Sequence, residues 1–234
     1  MNTQIEGSVV LVTGANGGLG EEFVAQSLAR GAVKVYAAAR SPRTWEDPRV
    51  VPLVLDVNDP ASIRRAAAES ADTTVLVNNA GIIRPGTLAT AASEDVRAVF
   101  DTNFFGALEV AQVYAPILKA NGGGVLLNVA SVLSWLAYGA AYSASKAALW
   151  SATNSLRLEL APQRTLVSGL YLGYTDTPMT DGIDAPKNDP ADVVAAALDG
   201  IEAGELEILA DELSATVRGR MGERVEAIYP ELVG

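Results

Sequence analysis

The chain contains neither cysteine nor histidine among its 234 residues. Without cysteine there are no disulfides, no thiolate metal sites and no thiol nucleophile; without histidine there is no Ser-His-Asp triad and no histidine-ligated zinc. No metal site is expected, and any proton transfer falls to tyrosine, lysine or a carboxylate. Positive charge is also scarce. Lysine and arginine number 17 against 28 acidic residues, a formal charge of -11, and there is no dense basic run to track a phosphate backbone. The composition argues against nucleic acid as a partner. The uncharged stretch from Ala120 to Ser145 approaches membrane-spanning length, but Asn121, Gly122, Gly123, Gly124, Asn128, Ser131 and Ser134 interrupt it. It suits a buried strand followed by a pocket loop, so no membrane partner is expected. The N-terminal "MNTQIEGSVVLVTG" lacks a basic region ahead of a long apolar core, so it does not read as a signal peptide and a cytoplasmic location is expected.

Apolar residues are plentiful, at 49% against 19% charged, which places the chain among compact globular proteins. Its length fits one domain spanning residues 1–234. Seven short apolar runs, "SVVLVTG", "AVKVYAAAR", "VVPLVLDV", "TTVLVNNAG", "GVLLNVAS", "RTLVSGLYLG" and "ELEILADE", alternate with longer amphipathic segments. Val and Leu runs without polar alternation mean strands buried on both faces. The expected architecture is α/β, a doubly wound Rossmann fold with a seven-stranded parallel sheet and helices on both faces. The stretch from Ser93 to Lys119 reads as one long helical region. Residues 175–190, rich in Pro, Asp and Gly after the sixth strand, read as a lid.

The first strand runs into "TGANGGLG", which places Gly14, Gly17, Gly18 and Gly20 between a strand and a helix, with Asn16 and Leu19 in the same turn. Glycines there let the backbone approach a ligand closely, and free N–H groups at the helix start suit a pyrophosphate. The second strand ends without the carboxylate that would hold a ribose 2'-hydroxyl. It places Arg40 there, followed by Ser41 and Arg43. A guanidinium pairs with a 2'-phosphate, so the pattern favours NADP(H) over NAD.

In "AYSASKAALW", Tyr142 and Lys146 stand four apart. On a helix they share a face, so the ammonium can reach toward the phenol hydroxyl. The pair alone is equally compatible with a solvated surface.

In their order along the chain these motifs resemble the single-domain short-chain dehydrogenase/reductases, and the resemblance covers essentially the whole sequence. "TGANGGLG" looks like the family's cofactor turn, "LDV" with Asp56 and Val57 like its adenine contact, and "NNAG" with Asn79, Ala80 and Gly81 like its fourth-strand motif. Asn103, Ser131, Tyr142 and Lys146 look like its catalytic tetrad. The resemblance implies hydride transfer between NADP(H) and a carbonyl carbon, Tyr142 as general acid/base and Ser131 holding the oxygen. It also implies that Lys146 binds the nicotinamide ribose and that Asn103 holds a water of a proton relay. A free tyrosine titrates near ~10, so lowering it toward ~7 takes about 4 kcal/mol of phenolate stabilisation, for which Lys146 and the oxidised nicotinamide are the evident sources.

Two departures from the family pattern stand out. Ser131 lies eleven residues before Tyr142, a shortened loop in which Ser134 is a rival. In "YLGYTDTPMT", Leu172 stands where a proline usually precedes Gly173, which puts the approach angle of the lid in question, although Thr175 and Thr177 keep positions suited to cofactor contact. Leu133, Trp135, Tyr138, Tyr174 and Met179, with Val132, Leu136 and Tyr171 nearby, suggest an apolar and aromatic substrate wall. The expected activity is therefore an NADPH-dependent carbonyl reductase or alcohol dehydrogenase acting on a hydrophobic ketone, aldehyde or secondary alcohol. The resemblance further implies a homodimer or homotetramer paired through Ser93–Lys119 and Ala141–Leu160. One rival is a non-catalytic NADP-binding redox sensor, against which the retained tetrad speaks. Another is a halohydrin dehalogenase, against which Lys146 and the four glycines speak.

Overall fold

The computed structural model describes residues 3–232. In chain order the elements are β1 (Val9–Thr13), α1 (Leu19–Ala29), β2 (Lys34–Ala39), β3 (Val50–Val54), α2 (Pro60–Glu69), β4 (Val75–Asn78), α3 (Ser93–Phe100), α4 (Ala107–Ala120), β5 (Gly124–Val129), α5 (Ala141–Leu160), β6 (Thr165–Tyr171), α6 (Pro190–Ala203), β7 (Glu207–Leu209), α7 (Glu212–Gly219) and α8 (Val225–Ile228). The strands form one parallel sheet in the order β3-β2-β1-β4-β5-β6-β7. The order reverses between β1 and β4, and ligands of open parallel sheets bind in the crevice at the strand ends there.

Alternate residues of each strand serve two cores. Val10 and Val12 of β1 pack with Phe23 and Val24 of α1 and Val194, Leu198 and Ile201 of α6. Leu11 faces the other way, into a layer with Ile63 of α2, Val110 and Tyr114 of α4, and Leu156 of α5. Every residue of β6 is buried, as the unbroken apolar runs require of a sheet covered on both sides. Pro52 is tolerated in β3 because β3 lies at the sheet edge, where a missing N–H breaks no ladder. Two helix starts are capped by aspartate: Asp59 accepts from Ala61 N at 2.8 Å ahead of Pro60, and Asp189 from Ala191 N at 2.8 Å ahead of Pro190. Among the described residues no helix is long and apolar enough to cross a membrane.

The long helix expected from Ser93 to Lys119 is interrupted. Residues Asp101–Gly106 form a π-helical segment between α3 and α4. Gly106 permits the wider turn to press on the loop after β3, since a Cβ there would lie 2.8 Å from the Val57 carbonyl oxygen. No sequence period reports this insertion, and it carries Asn103, in keeping with the habit of π-bulges to occur at functional sites.

Gly20 shows how tightly the first turn is wound. A Cβ there would collide with the Gly14 carbonyl and lie 2.8 Å from Asn79 Nδ2. Gly20→Ala is therefore expected to destabilise the protein by about 3 kcal/mol, read as a lowered urea midpoint with an unchanged slope.

Candidate active site

At the switch point the glycine turn opens a cavity of about 540 Å³ lined by Gly14, Asn16, Arg40, Ser41, Asp56, Val57, Ala80 and Gly81, all named by the sequence, together with Ala39, Leu55, Asn58, Ile82 and Thr102. Gly14 and Gly18 have φ of 67° and 54°, the left-handed region that glycine enters without strain. Nothing lies within 4 Å of a Cβ built on Gly17, so the bare backbone faces open space. α1 starts at Leu19 with no side chain capping its first N–H groups. Those groups and the helix dipole suit a pyrophosphate, so the residues present fit a dinucleotide.

The other cofactor-side residues divide into those facing the cavity and those holding it in shape. Asn16 donates from Nδ2 to the Ser41 carbonyl at 2.8 Å and accepts from Arg43 N at 3.4 Å, tying the loop after β2 to the glycine turn. Arg43 is occupied by Glu21 at 2.5 Å and lies over the Trp45 ring, whereas Arg40, exposed at the rim, makes no ion pair among the described residues. Asn79 donates from Nδ2 to the Thr13 and Gly14 carbonyls at 2.9 and 3.3 Å, and Thr13 Oγ1 accepts from Asn79 N and Ala80 N, each at 3.0 Å. Asn79 therefore laces β1 to β4. Asp56 accepts from Asn58 N at 3.0 Å and stays at the cavity wall. Thr177 comes within 3.4 Å of a Cβ built on Gly18, which brings the loop after β6 against the glycine turn. Thr175 is buried and donates to the Gly173 carbonyl at 3.3 Å, an internal brace of that loop.

Ser131, Asn103, Tyr142 and Lys146 converge beside Gly81, although they come from the end of β5, the π-helical segment and α5. A Cβ on Gly81 would lie 3.4 Å from Asn103 Oδ1 and 3.9 Å from Lys146 Nζ. Asn103 accepts from Ile82 N at 2.8 Å, donates to the Ile82 carbonyl at 2.9 Å and donates to Ser145 Oγ at 3.1 Å. Both of its amide hydrogens are thus engaged. Ser145 in turn donates to the Tyr142 carbonyl at 2.7 Å. Ser145 was missed in the sequence because a serine between Tyr142 and Lys146 carries no signature of its own. The Lys146 ammonium donates to the Val129 carbonyl at 2.7 Å and lies 5.5 Å from the centre of the Tyr142 ring.

The two serines differ in their surroundings. Ser131 caps the short 3-10 turn Val132–Ser134 by accepting from Leu133 N at 3.1 Å and donates to the Leu172 carbonyl at 3.4 Å, with its hydroxyl near enough to Tyr142 to favour the phenolate. Ser134 is buried and its hydroxyl has no partner among the described residues. Two of the residues assigned to the substrate wall are engaged in packing. Trp135 stacks on the fully buried Tyr171, centroids 4.4 Å apart, with the Arg218 guanidinium 5.7 Å from the indole, so its ring is taken up as a packing element. Tyr138 is bound to the C-terminal segment, donating to Glu231 at 2.7 Å and meeting Tyr229 edge-on at 5.5 Å. Leu133 is partly buried, and Tyr174 and Met179 are exposed on the loop after β6.

The geometry has counterparts. A family model described as short chain dehydrogenase matches residues 8–188. The chain belongs to the short-chain dehydrogenase family. A solved short-chain dehydrogenase from Burkholderia cenocepacia J2315 in complex with NADP is 37% identical, with a TM-score of 0.92 and coverage of 99% of this chain and 100% of that one. The 3-oxoacyl-acyl-carrier-protein reductase FabG of Escherichia coli K12 is 30% identical over 229 residues, 92% of this chain and 94% of its own. A 3-ketodihydrosphingosine reductase of Bacteroides thetaiotaomicron is 31% identical over 208 residues, 84% of this chain and 77% of its own. This short-chain dehydrogenase is thus an oxidoreductase acting on alcohol or carbonyl groups.

Burial sets the titration of both central groups of the dehydrogenase, in opposite senses. It pushes Tyr142 up to about 12, partly offset by the nearby Ser131 hydroxyl, and brings Lys146 down to about 8 from 10.5. The lysine shift has a sign in stability. Below about pH 8 both folded and unfolded chains hold the proton, and the fold bears the full cost of a buried ammonium, roughly 3 kcal/mol. Between about 8 and 10.5 the unfolded chain holds more protons, so stability rises with pH, and above 10.5 the cost is gone. Lys146→Met, which leaves the Val129 carbonyl without its donor at roughly 1 kcal/mol, is expected to stabilise the protein by about 2 kcal/mol at pH 7. That advantage should vanish by about pH 10, as compared by urea denaturation at both pH values.

Proposed function

We propose that this short-chain dehydrogenase reduces hydrophobic ketones or aldehydes with NADPH, and oxidises the corresponding secondary or primary alcohols in reverse. The observation that carries this reading is the gathering of Lys146 against the Tyr142 ring, with Ser131 near the phenol, at Gly81, which also lines the dinucleotide cavity. Bound NADPH supplies the hydride. The protein's own residues supply the rest. The Ser131 hydroxyl and the Tyr142 Oη converge on one carbonyl oxygen, holding it and polarising the carbon toward hydride attack. With a pKa of about 12, Tyr142 is fully protonated at neutral pH and is ready to donate from Oη to the developing alkoxide.

The reverse direction needs the phenolate, which at pH 7 lies about 7 kcal/mol uphill of the phenol at that pKa, so the cation at Lys146 matters most for oxidation. Asn103, whose amide hydrogens are engaged by Ile82 and Ser145, fixes these elements, and a relay water at this residue would donate to one of its carbonyl oxygens. Arg40 faces the NADP 2'-phosphate, a reading supported by its freedom from ion pairs at the cavity rim and by the NADP held in the Burkholderia relative. Leu133, Tyr174 and Met179 line the substrate side, and the ketone-reducing relative from Bacteroides supports a hydrophobic carbonyl. Residues 1–234 act as one domain, with residues 175–190 as the lid. Exposure of Leu158 on α5 and of Phe105 beside α4 supports pairing of two copies through those faces.

A panel of aryl, aliphatic and cyclic ketones and aldehydes should give NADPH oxidation followed at its absorbance band. Tyr142→Phe is expected to lower kcat by at least ~10²-fold with NADPH affinity unchanged, and full activity in that variant would overturn the assignment. Replacing Arg40 by Asp should weaken NADPH binding by ~10- to 100-fold and turn the preference to NADH; an unchanged ratio of the two Kd values counts against the phosphate contact.

A further inference from the structure

We infer that Asp211 is a positioning residue, a clamp that sets the hinge of the lid over the cofactor; this rests on the dinucleotide-dependent reading above. Asp211 follows β7, far in sequence from both the lid and the tetrad. Its Oδ2 accepts from Gly173 N at 2.6 Å and from Asn188 Nδ2 at 2.7 Å, and its Oδ1 accepts from Ser214 N at 2.7 Å. One carboxylate therefore holds both ends of the segment 173–188 and fastens them to the start of α7. The two ends also pair with each other: Asn188 N donates to the Tyr174 carbonyl at 2.8 Å, and Asp176 N to the Asn188 carbonyl at 3.0 Å. The segment is a closed loop with a single carboxylate at its neck.

The clamp also answers the question raised by Leu172. A proline at that position would restrict the backbone covalently; here the peptide between Leu172 and Gly173 is gripped from both sides. Its carbonyl accepts from Val132 N at 2.9 Å and from Ser131 Oγ at 3.4 Å, while its N–H goes to Asp211. Gly173 leaves room for the carboxylate, since a Cβ there would lie 3.3 Å from Asp211 Oδ2. Charge-assisted hydrogen bonds are the strong kind, and three on one side chain, two from backbone N–H groups and one from the Asn188 amide, fix its place. The far end of the loop brings Thr177 against Gly18 of the cofactor turn. A hinge held in one geometry presents Thr177 there without an ordering cost when nucleotide binds.

The decisive variant is Asp211→Ser, because serine retains the cap of α7 but is too short to span to Gly173 and Asn188. Amide hydrogen exchange of the nucleotide-free protein should become at least ~10-fold faster at Gly173 and across 174–188, with α7 and β7 unchanged. NADPH Kd and KM should rise ~10-fold while kcat changes less than threefold, because the Leu172 carbonyl stays held by Val132 and Ser131. Unchanged exchange at Gly173, or exchange that rises equally through α7 and β7, overturns the clamp. Failure of the wild-type protein to bind NADPH at all would instead sink the cofactor reading, and the exchange result would still decide whether Asp211 holds the loop.

Discussion

The paired hydrogen bonds between the Asn103 carboxamide and the backbone of Ile82 are the contact on which the site's geometry depends. They join the π-helical segment to the loop that leaves β4, and through Ser145 they reach the turn of α5 that carries Tyr142 and Lys146. Three elements distant in sequence are thereby fixed relative to one another by one side chain. The wider turn is what brings that side chain to the loop, and Gly106 is what allows the wider turn to pack on Val57. A buried, fully satisfied amide of this kind is costly to leave half-made, which gives the arrangement a single well-defined geometry.

Electrostatically the site is maintained against the interests of the fold. A buried ammonium with one hydrogen-bond acceptor among the described residues, and a phenol whose ionisation is disfavoured, are both consequences of withdrawing reactive groups from water. The same withdrawal strengthens each local dipole that acts on a substrate oxygen. Stability and reactivity are therefore opposed at Lys146 in a way they are not at Ser131, whose hydroxyl is shared between capping a turn and facing the phenol.

Much of this was legible in the sequence for physical reasons that can be named. Buried parallel strands leave unbroken runs of Val and Leu, and the first βα turn leaves its glycines, so sheet, layers and cofactor cavity could all be read locally. Tyr142 and Lys146 were legible because their spacing is helical. What the sequence concealed is what depends on non-local packing. Nothing in "DTNFFG" distinguishes a π turn from an α turn, and nothing near Trp135 shows that Tyr171 will stack beneath it. Asp211 carries no signature in the sequence, and only the fold brings Gly173 and Asn188 to one of its oxygens while the other caps α7. Helical spacing also places Tyr142 and Lys146 on one face without stating what else there offers the ammonium an acceptor, here the Val129 carbonyl.

Ala140, the residue just ahead of α5, has φ 49° and ψ -121°, a conformation that side-chain-bearing residues rarely adopt. Gly139 precedes it and donates its N–H to Ser143 Oγ at 2.8 Å, so the strained peptide is held from within the first turn of the helix. A glycine at position 140 would relieve the strain, but it would also open many backbone paths into the helix, each aiming the phenol in a different direction. The methyl group removes most of those paths. The short loop between Ser131 and Tyr142 thus has little slack, and an alanine in an uncomfortable conformation keeps the angular error of the tyrosine small.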